Sequence, residues 1–536
     1  MKLKIKTVIL LLFSIISYSQ TPFEITLEPL DITGLGGIQG YAFGQDDTGK
    51  WLIIGGRVDG LHRRQPFAAF DEAGNNNQLI VVDPINEQKW SAPLTSLPIA
   101  IKEQLSSTNM EFFQEGDYLY FLGGYGYSAT ENDHTTHAKL TAIKVSDVIQ
   151  SVINNTSFTS YFRQITDTEF QVAGGRLKKI NSNYYLLGGN KFIGRYNPQG
   201  PNNGPGFVQE YTDQIRIFTL TDDGTDIIIN HLPSYTDSAN LHRRDYNAEQ
   251  QIMPNGQEGI TMFSGVFQEN VNLPFLNSVN IDVNGYTVNN SFQQYYNHYH
   301  CAVLPIYSET ENEMHNVFFG GIAQFYDNNG TLVQDDDVPF VKTIARVTRD
   351  SNGVMTEYKL PIEMPILLGA GAEFIPNKNI SHFNNEVFKL DDITDDNTLI
   401  GYIYGGISST SPNIFFTNDG TQSSANSQIF KVYLTKNTAS EDQFNKYSTN
   451  SLNVIVFPNP ITNNLSLKYT INQNTYVEIS IVDIKGSEIF KTTLKGQTFG
   501  TYTFSKSMNN IATGSYFVTI KTAYNKHTEE ILFKNN

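Results

Sequence analysis

Short apolar runs that end in a pair of small residues recur along most of this chain. They read Trp51-Leu-Ile-Ile-Gly55-Gly56, Tyr118-Leu-Tyr-Phe-Leu-Gly123-Gly124 and Tyr184-Tyr-Leu-Leu-Gly188-Gly189. They continue as Gly259-Ile-Thr-Met-Phe-Ser264-Gly265, Asn316-Val-Phe-Phe-Gly320-Gly321 and Ile400-Gly-Tyr-Ile-Tyr-Gly405-Gly406. Runs of this length, rich in aromatic and β-branched residues and closed by turn residues, predict strands. Glycine at the exit allows a left-handed turn and close approach of a neighbouring backbone.

The six phrases recur at intervals of roughly 55–85 residues, which predicts a repeat architecture in which each unit is one small sheet. The first unit predicts strands at 37–45, 50–56, 78–84 and 89–94. The last predicts only three, near 367–376, 399–406 and 428–434, after which the chain turns polar. Phe23-Glu-Ile-Thr-Leu-Glu-Pro-Leu30 alternates like a strand and is expected to supply the missing outer strand, closing a ring and removing its edges. The expected architecture is all-β: a six-bladed β-propeller over 20–436, a polar linker at 437–452, and a small seven-stranded Ig-like β-sandwich at 453–536. The seven runs of the last part begin at Asn453, Asn464, Tyr476, Glu488, Gly500, Gly514 and Lys526.

In the first unit the glycine doublet is followed by Leu79-Ile-Val-Val-Asp83-Pro84 and then Trp90. This resembles a divergent kelch repeat, since Trp51 and Trp90 are the only tryptophans and the fourth unit has Ser264-Gly265. The C-terminal part carries Val456-Phe-Pro458-Asn459-Pro460, Asp483-Ile-Lys-Gly486, Gly514-Ser-Tyr516-Phe-Val518 and Ile531-Leu-Phe-Lys534. It resembles the type A C-terminal sorting domain of the Bacteroidetes type IX secretion system. That resemblance implies passage through the periplasm, engagement of the type IX machinery, and release or attachment at the cell surface.

Lys2, Lys4 and Lys6, then the apolar run from Val8 to Ile16, predict a cleaved secretory signal over 1–19. No other stretch is expected to span a membrane. The net charge of −17 repels phosphate backbones and excludes nucleic acid as an expected partner. Cys301 is the sole cysteine, so no internal disulfide forms; a small apolar core role is expected for it.

Long connections at 57–77, 125–137, 190–212 and 407–426 are the expected place for function. The phrase Leu-His-Arg-Arg occurs twice, giving His62, Arg63 and Arg64, and His242, Arg243 and Arg244. Guanidinium forks match anionic groups. With Glu111, His298, His300 and Glu373 these residues are expected to line one channel mouth. His298 and His300, two apart, would share a strand face and with His242 offer three imidazoles for a metal, but no diagnostic spacing supports it, and no metal is assigned. Calcium at 335–337 or 391–396 lacks the EF-hand pattern. Three functions follow: recognition of a glycan or protein partner at the mouth, a sugar-active enzyme, or a structural surface component. Some kelch propellers resemble galactose oxidases, which use copper, or sialic-acid mutarotases, which need Arg and Glu in the channel. Arg243, Arg244, Glu111 and Glu373 match the second in composition alone.

Overall fold

The computed structural model describes residues 21–328, 331–437, 453–471, 475–485, 487–498, 500–508, 511–522 and 526–534. The expected leader, residues 438–452 of the expected linker, and Gly486 lie outside them. The chain is all-β and divides into two compact units between Asn437 and Thr438.

The first unit contains six sheets in chain order, each built on an antiparallel meander. The first holds Ala42–Gln45, Trp51–Ile54, Gln78–Asp83 and Gln88–Pro93. The second holds Thr108–Glu115, Tyr118–Ser128, Lys139–Lys144 and Phe162–Thr166, and the third Arg176–Ile180, Asn183–Leu187, Gln214–Asp222 and Ile227–Thr236. The fourth holds Asn247–Ile252, Glu258–Phe263, Ser278–Asp282 and Gly285–Asn289, and the fifth Ala302–Ser308, Glu313–Phe319, Thr343–Arg349 and Met355–Glu363. The sixth is built from Leu367–Pro376, Thr398–Ser409 and Ile429–Lys436. Its outer strand is Phe23–Leu30, paired antiparallel to Ile429–Lys436 from Phe23↔Lys436 to Leu30↔Ile429. Phe23 and Ile25 join the core between the fifth and sixth sheets. Leu30 joins the next core, with Trp51 and Tyr404.

The doublets have a shared physical role. Both residues of every pair have positive φ, Ser264 included. The second residue donates its N–H to a carbonyl just ahead of the next sheet's first strand or at its start: Gly56 to Ser107, Gly124 to Val172, Gly189 to Arg243, Gly265 to His298, Gly321 to Leu368. The sixth, Gly406, returns to Ile38 ahead of the first sheet at 2.8 Å. The sheets are therefore linked in a cycle by equivalent main-chain bonds. Serine is accommodated at 264 because its hydroxyl donates to the Phe275 carbonyl at 2.7 Å, a local bond that steadies a left-handed residue.

Two features depart from the sequence pattern. Ile99–Leu105 and Val145–Ile153 are α-helices, and the second buries Val148, Ile149 and Val152 against the first two sheets. The long connections also contain strands. Asp133–Thr136, Asn190–Ile193 and Val208–Tyr211 pair in series and extend the second sheet.

The second unit has a three-stranded sheet (Asn453–Phe457, Asn464–Ile471, Gly500–Ser507) and a four-stranded one (Glu488–Gln497, Thr475–Asp483, Gly514–Thr522, Lys526–Phe533). Alternate residues of both, such as Leu465, Leu467, Ile479, Ile481 and Val518, share one core. Among the described residues no helix is long and apolar enough to cross a membrane.

Candidate functional site

Six residues, one from each sheet or its approach, form a closed hydrogen-bonded ring. The N–H of Asn109 donates to Gly40, Gly174 to Asn109, Asp245 to Gly174, His300 to Asp245, Gly371 to His300 and Gly40 to Gly371, at 2.7–3.2 Å. Across the ring, Asn109 Nδ2 donates to Asp245 Oδ1 at 3.3 Å. A space of only 10 Å³ remains there, about what one water needs. The ring is a constriction made of main chain.

Beyond it, along the first strands of all six sheets, lies a cavity of 150 Å³. It is walled by Phe43, Phe112, Phe113 and Phe374 and carries Arg176, Lys178, Glu249 and Glu373. Lys178 and Glu249 pair at 2.8 Å, and His300 Nε2 pairs with Glu373 Oε1 at 2.8 Å. Burial pushes the Glu373 carboxyl up, but His300 and Arg176 outweigh it and hold it below the ordinary value. Arg176 donates from Nε to the Tyr246 carbonyl at 3.0 Å. Its two terminal nitrogens have no protein partner among the described residues, which leaves the outer edge of its guanidinium fork for a ligand.

Glu111 also borders this cavity, but its carboxyl turns into the wall. Oε1 accepts the Gly175 N–H at 2.7 Å, and Oε2 is buried without a partner. Burial pushes this group up to about 8, against the Gly175 N–H, Arg216 and Arg176. The folded state therefore holds a proton that the unfolded chain loses near 4.5, so this residue costs stability as pH rises from 4.5 to 8. Glu111→Gln is expected to raise stability by roughly 2–4 kcal/mol above pH 8 and by little at pH 4.5. Urea midpoints of variant and parent at the two pH values check this; an equal offset at both would refute it.

The residues expected to share one mouth are divided by the ring. Glu373 and His300 belong to the cavity side. His62, Arg63, Arg64 and Arg244 sit with the long connections, as does Asp213, which holds His242 Nδ1 at 2.7 Å. His62 packs among Phe70, Tyr196 and Phe415, and burial lowers it to about 4, so it is uncharged. Arg244 donates to the Tyr211 hydroxyl at 3.0 Å and to Asp245 at 2.5 Å, and lies over the Phe267 ring. Arg243 belongs to neither side. It is fully buried, with its guanidinium over Phe275 and bonded to Asn240, Ser264 and Asn277, where it bolts the fourth doublet in place. The two Leu-His-Arg-Arg phrases thus have different structural settings.

His298 and His300 precede the strand that starts at Ala302, so strand alternation does not align them. His298 is fully buried, bonded through Nε2 to the Gln294 carbonyl and through Nδ1 to the Gln324 N–H. Both ring nitrogens are engaged, so it has none for a ligand. Among the described residues no group of three or more His, Cys, Asp or Glu is placed to hold a metal ion. Asp335 and Asp391 are bonded internally, to Asp337 and Asn413, and to Ser308 and Thr310. Cys301 is buried beside Asn247, and burial pushes its thiol up to about 12.

Sequence reasoning missed Arg176, Lys178 and Glu249. The available signal was polar residues inside predicted inner strands, with Arg176 directly after Gly174-Gly175. It also missed two phenyl rings on the long connections, Phe67 and Phe416, which are 69% and 65% exposed. Arg64 lies over Phe416 at 5.4 Å.

In the second unit the quoted motif residues act as anchors. Ile461, after Pro458-Asn459-Pro460, bonds to Leu532 and Lys534, and Asn459 Oδ1 accepts the Leu532 N–H. The start and end of the motif therefore meet. Asp483 Oδ1 accepts from Lys485 and Ser487, Gly514 opens a strand, and the Tyr516 hydroxyl donates to Ala512.

Residues 455–534 match the family described as the secretion system C-terminal sorting domain. The protein is thereby exported by type IX secretion to the cell surface or the extracellular space. Among curated proteins no match was found. The solved structures similar to this chain include YjhT, 10% identical with a TM-score of 0.41, covering 76% of this chain and 100% of YjhT. A fungal alcohol oxidase of the AA5 family in complex with copper is 9% identical, TM-score 0.37, covering 95% and 99%. PorZ, a surface component of the type-IX secretion system of Porphyromonas gingivalis, is 10% identical, TM-score 0.17, covering 94% and 75%.

Proposed function

We propose that the exported protein is a recognition protein, with a six-bladed kelch-like propeller as its first unit and an Ig-like sorting domain as its second. Its central cavity takes a small hydroxylated ligand bearing a carboxylate, of the size of one sugar. The observation that carries this reading is the fork of Arg176, whose terminal nitrogens have no hydrogen-bond partner among the described residues, in a cavity where Lys178 pairs with Glu249 and His300 with Glu373. That leaves guanidinium N–H donors open beside apolar rings, which suits a carboxylate on a body with C–H faces. The cyclic inter-sheet bonds and the outer strand drawn from residues 23–30 support the propeller reading.

The test is proton NMR of the full chain against acidic and neutral sugars. Saturation transfer to the carboxylated members is expected, weakened about 10–100-fold by Arg176→Ala. Equal signals for acidic sugars and their neutral counterparts would overturn it.

One observation favours a second reading, a sugar-active enzyme. The imidazole Nε2 of His300 stands 2.8 Å from the Glu373 carboxylate in the cavity, close enough for a proton to pass between them. The same spectra read out anomer exchange; turnover that disappears in Glu373→Gln would establish it.

A further inference from the structure

We infer that the face carrying the long connections is a docking surface for an anionic polysaccharide, held by the exposed rings of Phe67 and Phe416 together with Arg63 and Arg64. This surface lies on the other side of the main-chain ring from the cavity, so it is independent of the small-ligand site.

Large apolar side chains on a soluble surface usually cover something when they cluster. Here Phe416, 65% exposed, lies against the Arg64 guanidinium, and Phe67, 69% exposed, follows Arg64 closely on the same connection. The segments bearing them are held in place. Asn418, fully buried, donates to the carbonyls of Leu61 and His62, and its own carbonyl accepts the Arg64 N–H at 2.8 Å. Arg64 Nη1 donates to the Pro198 carbonyl at 2.7 Å, and Gln199 donates back to the Arg64 carbonyl. The connections of three sheets are therefore locked together around Arg64, which lies over the Phe416 ring. A locked aromatic platform loses little freedom on binding.

The charges point to the class of partner. In a chain of net charge −17, Arg63 is exposed and makes no ion pair among the described residues, and Arg64 meets only a carbonyl and a ring. Asp419, the nearest acidic residue in sequence to Phe416, accepts at its carboxylate from the N–H and hydroxyl of Thr421, and its own N–H donates to Gln422 Oε1. Two guanidinium groups that form no ion pair among the described residues, one of them over the exposed Phe416 ring, complement a chain of carboxylated or sulfated sugars. The rings stack on pyranose C–H faces, and the arginines take the anionic substituents. An acidic protein segment would use the same charges but has no flat sugar faces for the rings.

The test is affinity electrophoresis of the full chain through gels containing polygalacturonate, alginate, dextran or poly-glutamate. Retardation is expected in the two uronate gels and not in dextran or poly-glutamate. Phe67→Ala with Phe416→Ala should weaken it about tenfold, and Arg63→Gln with Arg64→Gln should weaken it and flatten its salt dependence. Both rings are exposed, so the Phe pair leaves the fold intact, and an unchanged melting temperature verifies that. Free passage through both uronate gels, retardation that ignores the Phe pair, or equal retardation by poly-glutamate would each overturn the proposal. Arg176→Ala, which tests the cavity, should leave retardation unchanged, so the two readings fail separately.

Discussion

Removing residues 21–30 from the chain is expected to lower the melting temperature of the first unit by at least about 10 °C. Phe23, Ile25 and Leu30 are all at least 94% buried, and at about 1.5–3 kcal/mol each they contribute roughly 5–9 kcal/mol of apolar burial. The strand also pairs along its whole length with Ile429–Lys436. Its loss leaves that strand as an open edge and strips one side from the core between the fifth and sixth sheets. The sum is comparable to the entire stability of an ordinary domain. Calorimetry on the truncated and full chains measures it, and aggregation on heating should accompany the shift. A change under about 2 °C would mean the strand is an accessory and that the other five sheets hold their arrangement without it.

The second large effect concerns the doublets. Gly123→Ala should destabilise by at least about 4 kcal/mol. A Cβ at this position would lie 1.9 Å from the Val172 carbonyl oxygen, and the residue has φ +66°. The obstacle is main chain, which cannot swing aside as a side chain can, and it is the same carbonyl that Gly124 binds. Gly320→Ala meets the Leu368 carbonyl at 2.1 Å and should behave alike. Gly36→Ala, with nothing within 4 Å, is the control and should be nearly neutral. Denaturant midpoints of the three variants decide the matter: similar values for all three would show that the doublets are ordinary turns.

How much of this was legible beforehand follows from which atoms carry the structure. The doublets were readable because a residue without Cβ tolerates the conformation and the crowding best, so the constraint is written in residue type, with Ser264 the exception that its own hydroxyl bond holds in place. Phe23–Leu30 was readable because its alternation had no partner nearby in sequence. The ring that closes the cavity was not readable: Gly40, Asn109, Gly174, Asp245, His300 and Gly371 share no chemistry, since their main-chain groups make the bonds. The same blindness placed Glu111, Glu373 and His300 in one mouth with His62, Arg63 and Arg64, although the ring stands between them. Arg243 was misjudged because an echo of four letters carries no information about burial. His298 looked available because pairing with a distant N–H, that of Gln324, leaves no trace in local pattern. Arg176 escaped notice because one arginine after a glycine pair forms no motif, and its significance lies in what fails to contact it.

The sixth sheet joins residues 23–30 to residues 429–436, so the first unit's circle needs both ends of its own sequence. During synthesis the opening strand must wait, unpaired, while some four hundred residues emerge, and contacts of such separation form slowly. The sorting domain begins only after this final partner, at Asn453. Chain order therefore acts as a clock. By the time the segment that addresses the protein for export has been made, every strand needed to complete the cargo already exists. A chain interrupted before residue 429 lacks its closing partner and the sorting domain together.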